Sequence, residues 1–262
     1  MYSSLYIQLL KKTLIDYNAI HTYEYLPLAL NPPSWKIRLL SGLDRLLRRR
    51  NFAIGKLKWV DAERRLHGYD WPARAHTMIG MRRLDNIEAC VQQIIAQGVP
   101  GDLMETGVWR GGATILMRAL LAEQGITDRQ VWLADSFEGL PEPDPRYPAD
   151  RGSQWHRHDL LKVSLEEVRQ NFARYDLLDE QVRFLKGWFK DTLPQAPVRR
   201  LALLRLDGDL YESTHLALLH LYPKLSKGGF VIVDDYHAFD YCRKAVEDYR
   251  IAHQISAPII TF

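Results

Sequence analysis

From residue 85 to residue 236 the apolar positions alternate between two patterns. Residues 85–98 (DNIEACVQQIIAQG) repeat apolar side chains at helical spacing and end in glycine. Asp102-Leu103-Met104 is a short apolar run, and residues 113–125 (ATILMRALLAEQG) are helical again and also end in glycine. Residues 130–135, 181–187, 201–206 and 230–236 read as further strands, and residues 163–177 and 214–229 as the intervening helices. The strands are nearly all apolar, which suits strands covered on both faces of a parallel sheet. The pattern therefore predicts an α/β fold, Rossmann-like, with a mostly parallel sheet.

The first 85 residues lack this cadence. They read as scattered helical pieces broken at Asn31-Pro32-Pro33 and Trp71-Pro72. Residues 34–50 (SWKIRLLSGLDRLLRRR) predict a basic amphipathic helix with a packed leucine stripe and a solvated arginine face. A membrane-surface role or an oligomer contact is the alternative for that helix. The chain is divided accordingly: 1–85 as a helical N-terminal region carrying oligomer contacts and an active-site lid, and 86–262 as the Rossmann-like domain.

Composition narrows the function. The 262 residues are 47% hydrophobic and 26% charged, enough for a substantial core. A net charge of +3 gives no reason to expect a nucleic-acid partner. The two cysteines, Cys90 and Cys242, do not form a CxxC pair, so neither a zinc site nor a disulfide framework is expected. No apolar run approaches a membrane span and the start has no cleavable-signal pattern, so the expectation is a cytoplasmic protein without a membrane partner.

The candidate chemistry falls at strand ends, where open α/β sheets bind ligands. The first strand runs into Glu105-Thr106-Gly107-Val108-Trp109-Arg110-Gly111-Gly112. A glycine-rich βα turn alone also fits a dinucleotide. This one is E-x-G-x-x-x-G-G, and its leading carboxylate suits a cationic ligand better than a pyrophosphate. Asp135 and Ser136 end the second strand; Asp135 can accept both hydroxyls of a ribose, or cap a helix. Paired with the glycine loop, the ribose role is favoured. Gly187, Trp188 and Phe189 end the third strand, where the rings either flank an adenine or belong to the core.

Asp207 and Asp209 follow the fourth strand, and Asp234 and Asp235 the fifth. In a parallel sheet both strand ends lie on one edge, so these carboxylates converge. Their mutual repulsion calls for a hard divalent cation, and an all-oxygen donor set favours Mg²⁺ over Zn²⁺. Such a cation can chelate adjacent hydroxyls of a substrate and acidify one of them. Asp209 is the first candidate for the base that takes the proton, and His237 the second.

The segments HTMIGMRRLDNIEACV, ETGVWRGGATILMRALL, LADSFEGLPEPD, LKGWFKDTLP, LRLDGDLYEST and GGFVIVDDYHAFDYCRKAVEDYR resemble the macrocin O-methyltransferase family from about residue 60 to about residue 252. The resemblance implies a methyltransferase fold and methylation of sugar hydroxyls on macrolide and aminocoumarin antibiotics, with S-adenosylmethionine and Mg²⁺. It implies that Glu105, Thr106 and Gly107 line the methionyl part of the cofactor and that Asp135 and Ser136 hold its ribose. Arg110, Gly112, Ala113, Gly187, Trp188 and Asp207 complete the expected cofactor contacts. Asp207, Asp234 and Asp235 become metal ligands and Asp209 the base. The segment Thr77-Met78-Ile79 becomes a cover over the cofactor; on its own pattern Met78 reads as core.

The expected partner is a small acceptor with vicinal hydroxyls, in a homodimer or larger homo-oligomer. A catechol-like or polysaccharide acceptor is the near alternative. The family continues into a further aromatic-rich strand for which residues 256–262 leave little room, so either truncation or a sheet edge completed by other means is expected. A phosphoryl-transfer enzyme would need a GxxxxGK[ST] loop and a dinucleotide oxidoreductase a GxGxxG loop, and neither occurs. A non-catalytic cofactor-binding protein predicts a degraded carboxylate set, against the four aspartates present.

Overall fold

The computed structural model describes residues 3–28 and 35–261. Helix α1 (Leu5–Leu14) is capped by the Ser4 side chain and is followed by strand β1 (Tyr23–Pro27), helix α2 (Trp35–Arg48), strand β2 (Gly55–Trp59) and helix α3 (Ala62–His67). β1 and β2 pair antiparallel, Tyr23 opposite Trp59 and Pro27 opposite Gly55. This ribbon corrects the expectation of helical pieces alone. Its strands are rich in Tyr and Trp, but α2 lies between them, so no local hairpin turn marks the pair. The break read at Asn31-Pro32-Pro33 lies outside the described residues.

Two further details of this region depart from the sequence pattern. Along α2 the leucine stripe is exposed, with Leu39 at 70% and Leu46 at 60%, while Asp44 is buried. Asp44 accepts from Arg48 Nε of the same helix at 2.6 Å and from the Ile54 amide at 2.7 Å, which ties α2 to the segment leading into β2. Arg65 of α3 is buried and binds the Ile15 carbonyl, Asp70 and Glu24. An interior guanidinium is tolerable only with such a full partner set. It fastens β1 and the end of α1 to α3.

The remainder follows the predicted alternation: helix α4 (Gly80–Ala96), strand β3 (Asp102–Thr106), helix α5 (Gly112–Glu123), strand β4 (Val131–Asp135), helix α6 (Leu165–Ala173), strand β5 (Val182–Lys186), helix α7 (Phe189–Thr192), strand β6 (Leu201–Leu206), helix α8 (Tyr211–Leu221), strand β7 (Leu225–Val233) and helix α9 (Asp240–Ala252). The helix read over 214–229 ends early. Pro223 has no amide hydrogen to continue it, and Leu225 already pairs with Leu201 as the start of β7.

All pairs in the five-stranded sheet are parallel, in the order β5-β4-β3-β6-β7. Apolar clusters cover both faces. One joins Leu84, Ile87 and Ile94 of α4 to α5, and takes in Ile7, Leu10 and Leu14 of α1. The other joins Leu204 and Leu206 to Leu218 and Leu221 of α8 and Tyr249 of α9. Lys11 of α1 reaches the α4 carboxylates of Asp85 at 2.5 Å and Glu88 at 2.6 Å, so the N-terminal helix is tied into the same core. Among the described residues no helix is long and apolar enough to cross a membrane.

Candidate functional site

Strand order reverses between β3 and β6, which makes their carboxyl ends the place where this kind of sheet opens a crevice. Ala134, Thr106, Leu206 and Val233 stand side by side in the register of β4, β3, β6 and β7. The next residue on each strand therefore forms one row: Asp135, Gly107, Asp207 and Asp234. Three amide bonds of 2.9 Å, Gly107 to Ala134, Asp207 to Thr106 and Asp234 to Leu206, carry the ladder into that row. Gly107 has φ +83°, and a Cβ on it would stand 1.8 Å from the Asp207 carbonyl oxygen. Only glycine fits both the left-handed backbone and that approach.

One level back lies Arg205, the penultimate residue of β6 and completely buried. Its guanidinium is paired with Glu105, with Asp207 at 2.6 Å and with Asp234. The neighbouring carboxylates hold Arg205 well above its usual pKa, outweighing its own burial. Burial pushes Glu105 up to about 8 against the pull of Arg205. The second oxygen of Asp234 accepts from Arg83 of α4 at 2.6 Å.

Asp207, Asp234 and Asp235 each present a carboxylate oxygen such that the three atoms lie within 4.8 Å of one another. Oδ2 of Asp235 is buried without a hydrogen-bond partner. An orphaned buried acceptor inside an all-carboxylate set is what a hard cation would satisfy, so these residues fit Mg²⁺. Asp209 follows in the left-handed region at φ 57°. Such a backbone is uncommon outside glycine and concentrates at functional loops. Burial first, then the charges of Asp207 and Asp234, push its carboxyl up to about 8.

Asp135 bridges the turns that follow β3 and β4: Oδ2 accepts from the Val108 amide at 2.8 Å and Oδ1 from the Phe137 amide at 2.7 Å. Ser136 Oγ donates to the Gly139 carbonyl at 2.7 Å, closing the turn. Segment 72–79 is laid across the start of α5. The His76 carbonyl accepts from Gly112 N at 2.9 Å, where a Cβ on residue 112 would come within 2.6 Å of it. Arg110 donates to the Ala75 carbonyl at 2.9 Å and fixes the same segment.

A cavity of about 520 Å³ opens at this edge. Its floor includes Gly107, Asp135, Ser136, Trp188, Asp207, Asp209, Asp234 and Asp235, and Met78 and Arg83 reach it from the N-terminal side. Glu105 and Thr106 are buried at the end of β3, and Gly112 and Ala113 at the start of α5, outside the cavity lining, and Gly187 donates its amide to the Asp135 carbonyl at 2.9 Å. His237 is exposed and its ring contacts Thr261 Oγ1 at 3.2 Å, away from the carboxylates. Of the two candidate bases, Asp209 lines the cavity.

Sequence reasoning missed three features. Arg205 had a visible signal, since a charge inside the apolar run LALLRL demands buried partners. Arg83 had none. The third is an aromatic wall of the cavity, made by Trp71, Trp155 and Phe239 from three separate elements. The Trp155 ring lies 6.0 Å from Trp71 and 5.5 Å from Phe239, and its Nε1 donates to Tyr241 Oη at 2.8 Å. The loop carrying Trp155 is pinned by Asp150, which accepts from the Tyr211 amide at 2.7 Å and the Glu212 amide at 2.9 Å at the start of α8.

Comparison with known proteins gives the chain a family. The family model described as macrocin-O-methyltransferase matches residues 3–262. A tetracenomycin-pathway enzyme of Streptomyces olivaceus, 8-demethyl-8-(2,3-dimethoxy-alpha-L-rhamnosyl)-tetracenomycin-C 4'-O-methyltransferase, is 62% identical over 201 residues, 76% of this chain and 77% of its own. Mycinamicin III 3''-O-methyltransferase of Micromonospora griseorubida is 52% identical over 202 residues, 76% of this chain and 79% of its own. The solved O-methyltransferase NovP superposes with a TM-score of 0.82 at 48% identity, covering 99% of this chain and 95% of NovP.

Proposed function

The chain belongs to the macrocin O-methyltransferase family and is an O-methyltransferase, and from that premise we propose that it methylates a sugar hydroxyl of a glycosylated natural product, using S-adenosylmethionine and Mg²⁺. The observation that carries this reading is the convergence of Asp207, Asp234 and Asp235 within 4.8 Å beside the Gly107 loop. The acceptors named for two relatives, a rhamnosylated tetracenomycin and mycinamicin III, support a sugar over a catechol.

When bound, the donor supplies an electrophilic methyl group and the cation a Lewis acid for the acceptor oxygen. Met78, Gly107, Asp135, Ser136 and Trp188 would hold the donor. Met78 would cover it from segment 72–79, Gly107 would let the backbone approach it, and Trp188 would offer a ring to its adenine. Asp135 keeps both loops in register through the Val108 and Phe137 amides. Asp207, Asp234 and Asp235 would hold the cation, and Arg205 fixes the first two before it arrives.

Asp209 would receive the acceptor's hydroxyl proton on a carboxylate oxygen, from a loop position whose backbone aims it into the cavity. The aromatic wall would offer Trp71, Trp155 and Phe239 to the apolar face of the acceptor sugar. The test is incubation with S-adenosylmethionine and glycosides bearing vicinal hydroxyls, alongside simple catechols. The reading expects a monomethylated glycoside by mass spectrometry; methylation confined to the catechol would overturn it.

A further inference from the structure

Among the described residues two guanidinium groups meet the carboxylates of Asp207 and Asp234, and their settings differ. Arg205 is completely buried within the sheet and is held by Glu105, Asp207 and Asp234 at once, so it has no other place to go. Arg83 stands in the first turn of α4, keeps 27% of its side chain exposed, and lines the cavity. Its Nη1 lies 2.6 Å from Asp234 Oδ2, and its charge also acts on Asp207. Both oxygens of Asp234 are thereby engaged by arginines, although Asp234 is one of the three carboxylates placed to share a cation.

We propose that Arg83 is a removable counter-ion, which neutralises Asp234 until a divalent cation arrives and then swings into the acceptor cavity. This rests on the reading of Asp207, Asp234 and Asp235 as metal ligands. A dication among those three oxygens would stand within a few ångströms of the guanidinium, and like charges at that range repel strongly away from bulk water. Arg83 can respond, because its side chain is long, partly exposed and lines the cavity; Arg205 cannot. The cost of separating Arg83 from Asp234 is subtracted from the cation's binding energy. Arg83 thus lowers apparent metal affinity, and once released it offers planar donors to the acceptor sugar's oxygens.

The test is Mn²⁺ titration of the EDTA-stripped, dialysed full chain, read by the electron paramagnetic resonance signal of free Mn²⁺. Arg83→Met is expected to lower the Mn²⁺ dissociation constant roughly three- to ten-fold, the scale of one partly exposed ion pair. Arg83→Lys, which keeps the charge, should stay near the parent. Arg83→Gln gives the same reading as Arg83→Met if the methionine variant does not fold. In EDTA, Arg83→Met should melt at a lower temperature than the parent, and with Mn²⁺ the gap should close. Unchanged or weaker Mn²⁺ binding in Arg83→Met and Arg83→Gln would overturn the proposal. Asp234→Asn separates the two levels: if it leaves Mn²⁺ binding intact in the parent background, the metal reading itself fails.

Discussion

Gly107 and Asp207 are fitted together across the point where strand order reverses: the space a Cβ would need at Gly107 is taken by the Asp207 carbonyl oxygen, 1.8 Å away. The same contact joins the glycine loop to the first of the aspartates proposed to hold the cation. Any side chain at residue 107 must push β3 and β6 apart at their ends. Gly107→Ala is therefore expected to cost about 3 kcal/mol or more, from overpacking plus a left-handed alanine. Donor-analogue binding and Mg²⁺ binding should fall together. Calorimetric titration with S-adenosylhomocysteine and a melting curve check this; a variant with parent-like values would show that the loop is not held against β6.

Asp209 is expected to be the base. Asp209→Asn keeps the size of the side chain and removes the proton acceptor, so the rate should fall by ~10²–10⁴ while S-adenosylhomocysteine binding is retained. His237→Ala should leave the rate nearly unchanged, because the ring is exposed beside Thr261. Single-turnover methylation of both variants decides between them, and a silent Asp209→Asn would return the role to another group.

The aromatic wall makes a separate prediction about the acceptor. Trp155→Ala removes the ring that touches both Trp71 and Phe239. It should raise KM for a glycoside roughly ten-fold or more, consistent with about 1–3 kcal/mol for a large ring face, and leave KM for S-adenosylmethionine within about two-fold. Equal increases in both constants would mean that the loop, not the ring, had been lost.

Acid should loosen the cover over the cofactor loop. Burial first, then the charges of Arg174 and Arg110, push His76 down to about 4, and its Nδ1 pairs with Tyr175 Oη at 2.7 Å. Above pH 6.5 the ring is neutral folded or unfolded and contributes no slope. Between about 6.5 and 4 the unfolded chain takes a proton that the folded chain refuses, so stability falls as pH falls. Urea midpoints at neutral pH and near pH 4.5 should show a smaller acid loss for His76→Asn than for the parent. Equal losses would place the acid sensitivity elsewhere.

What the sequence made legible follows from how locally each signal is written. The runs at 130–135 and 201–206 announced parallel strands, and the turn residues after them announced a ligand edge, because strand, turn and helix are contiguous in the chain. The β1–β2 ribbon was hidden, since Tyr23 and Trp59 meet only after α2 intervenes. Leu225 looked helical because its spacing continues α8, while Pro223 and the partner Leu201 decide otherwise. Asp207, Asp209, Asp234 and Asp235 were readable as a set; Arg83 was not, because its place beside Asp234 depends on how α4 packs across the sheet.

Cation dependence is the claim on which the account turns, and transfer of labelled methyl from S-adenosylmethionine to a glycoside acceptor, with and without EDTA, tests it most directly. The account predicts that EDTA abolishes transfer, that Mg²⁺ in excess restores it, and that Asp234→Ala is inactive in both while still binding S-adenosylhomocysteine. Full transfer in EDTA, or an Asp234→Ala variant as active as the parent, would contradict it.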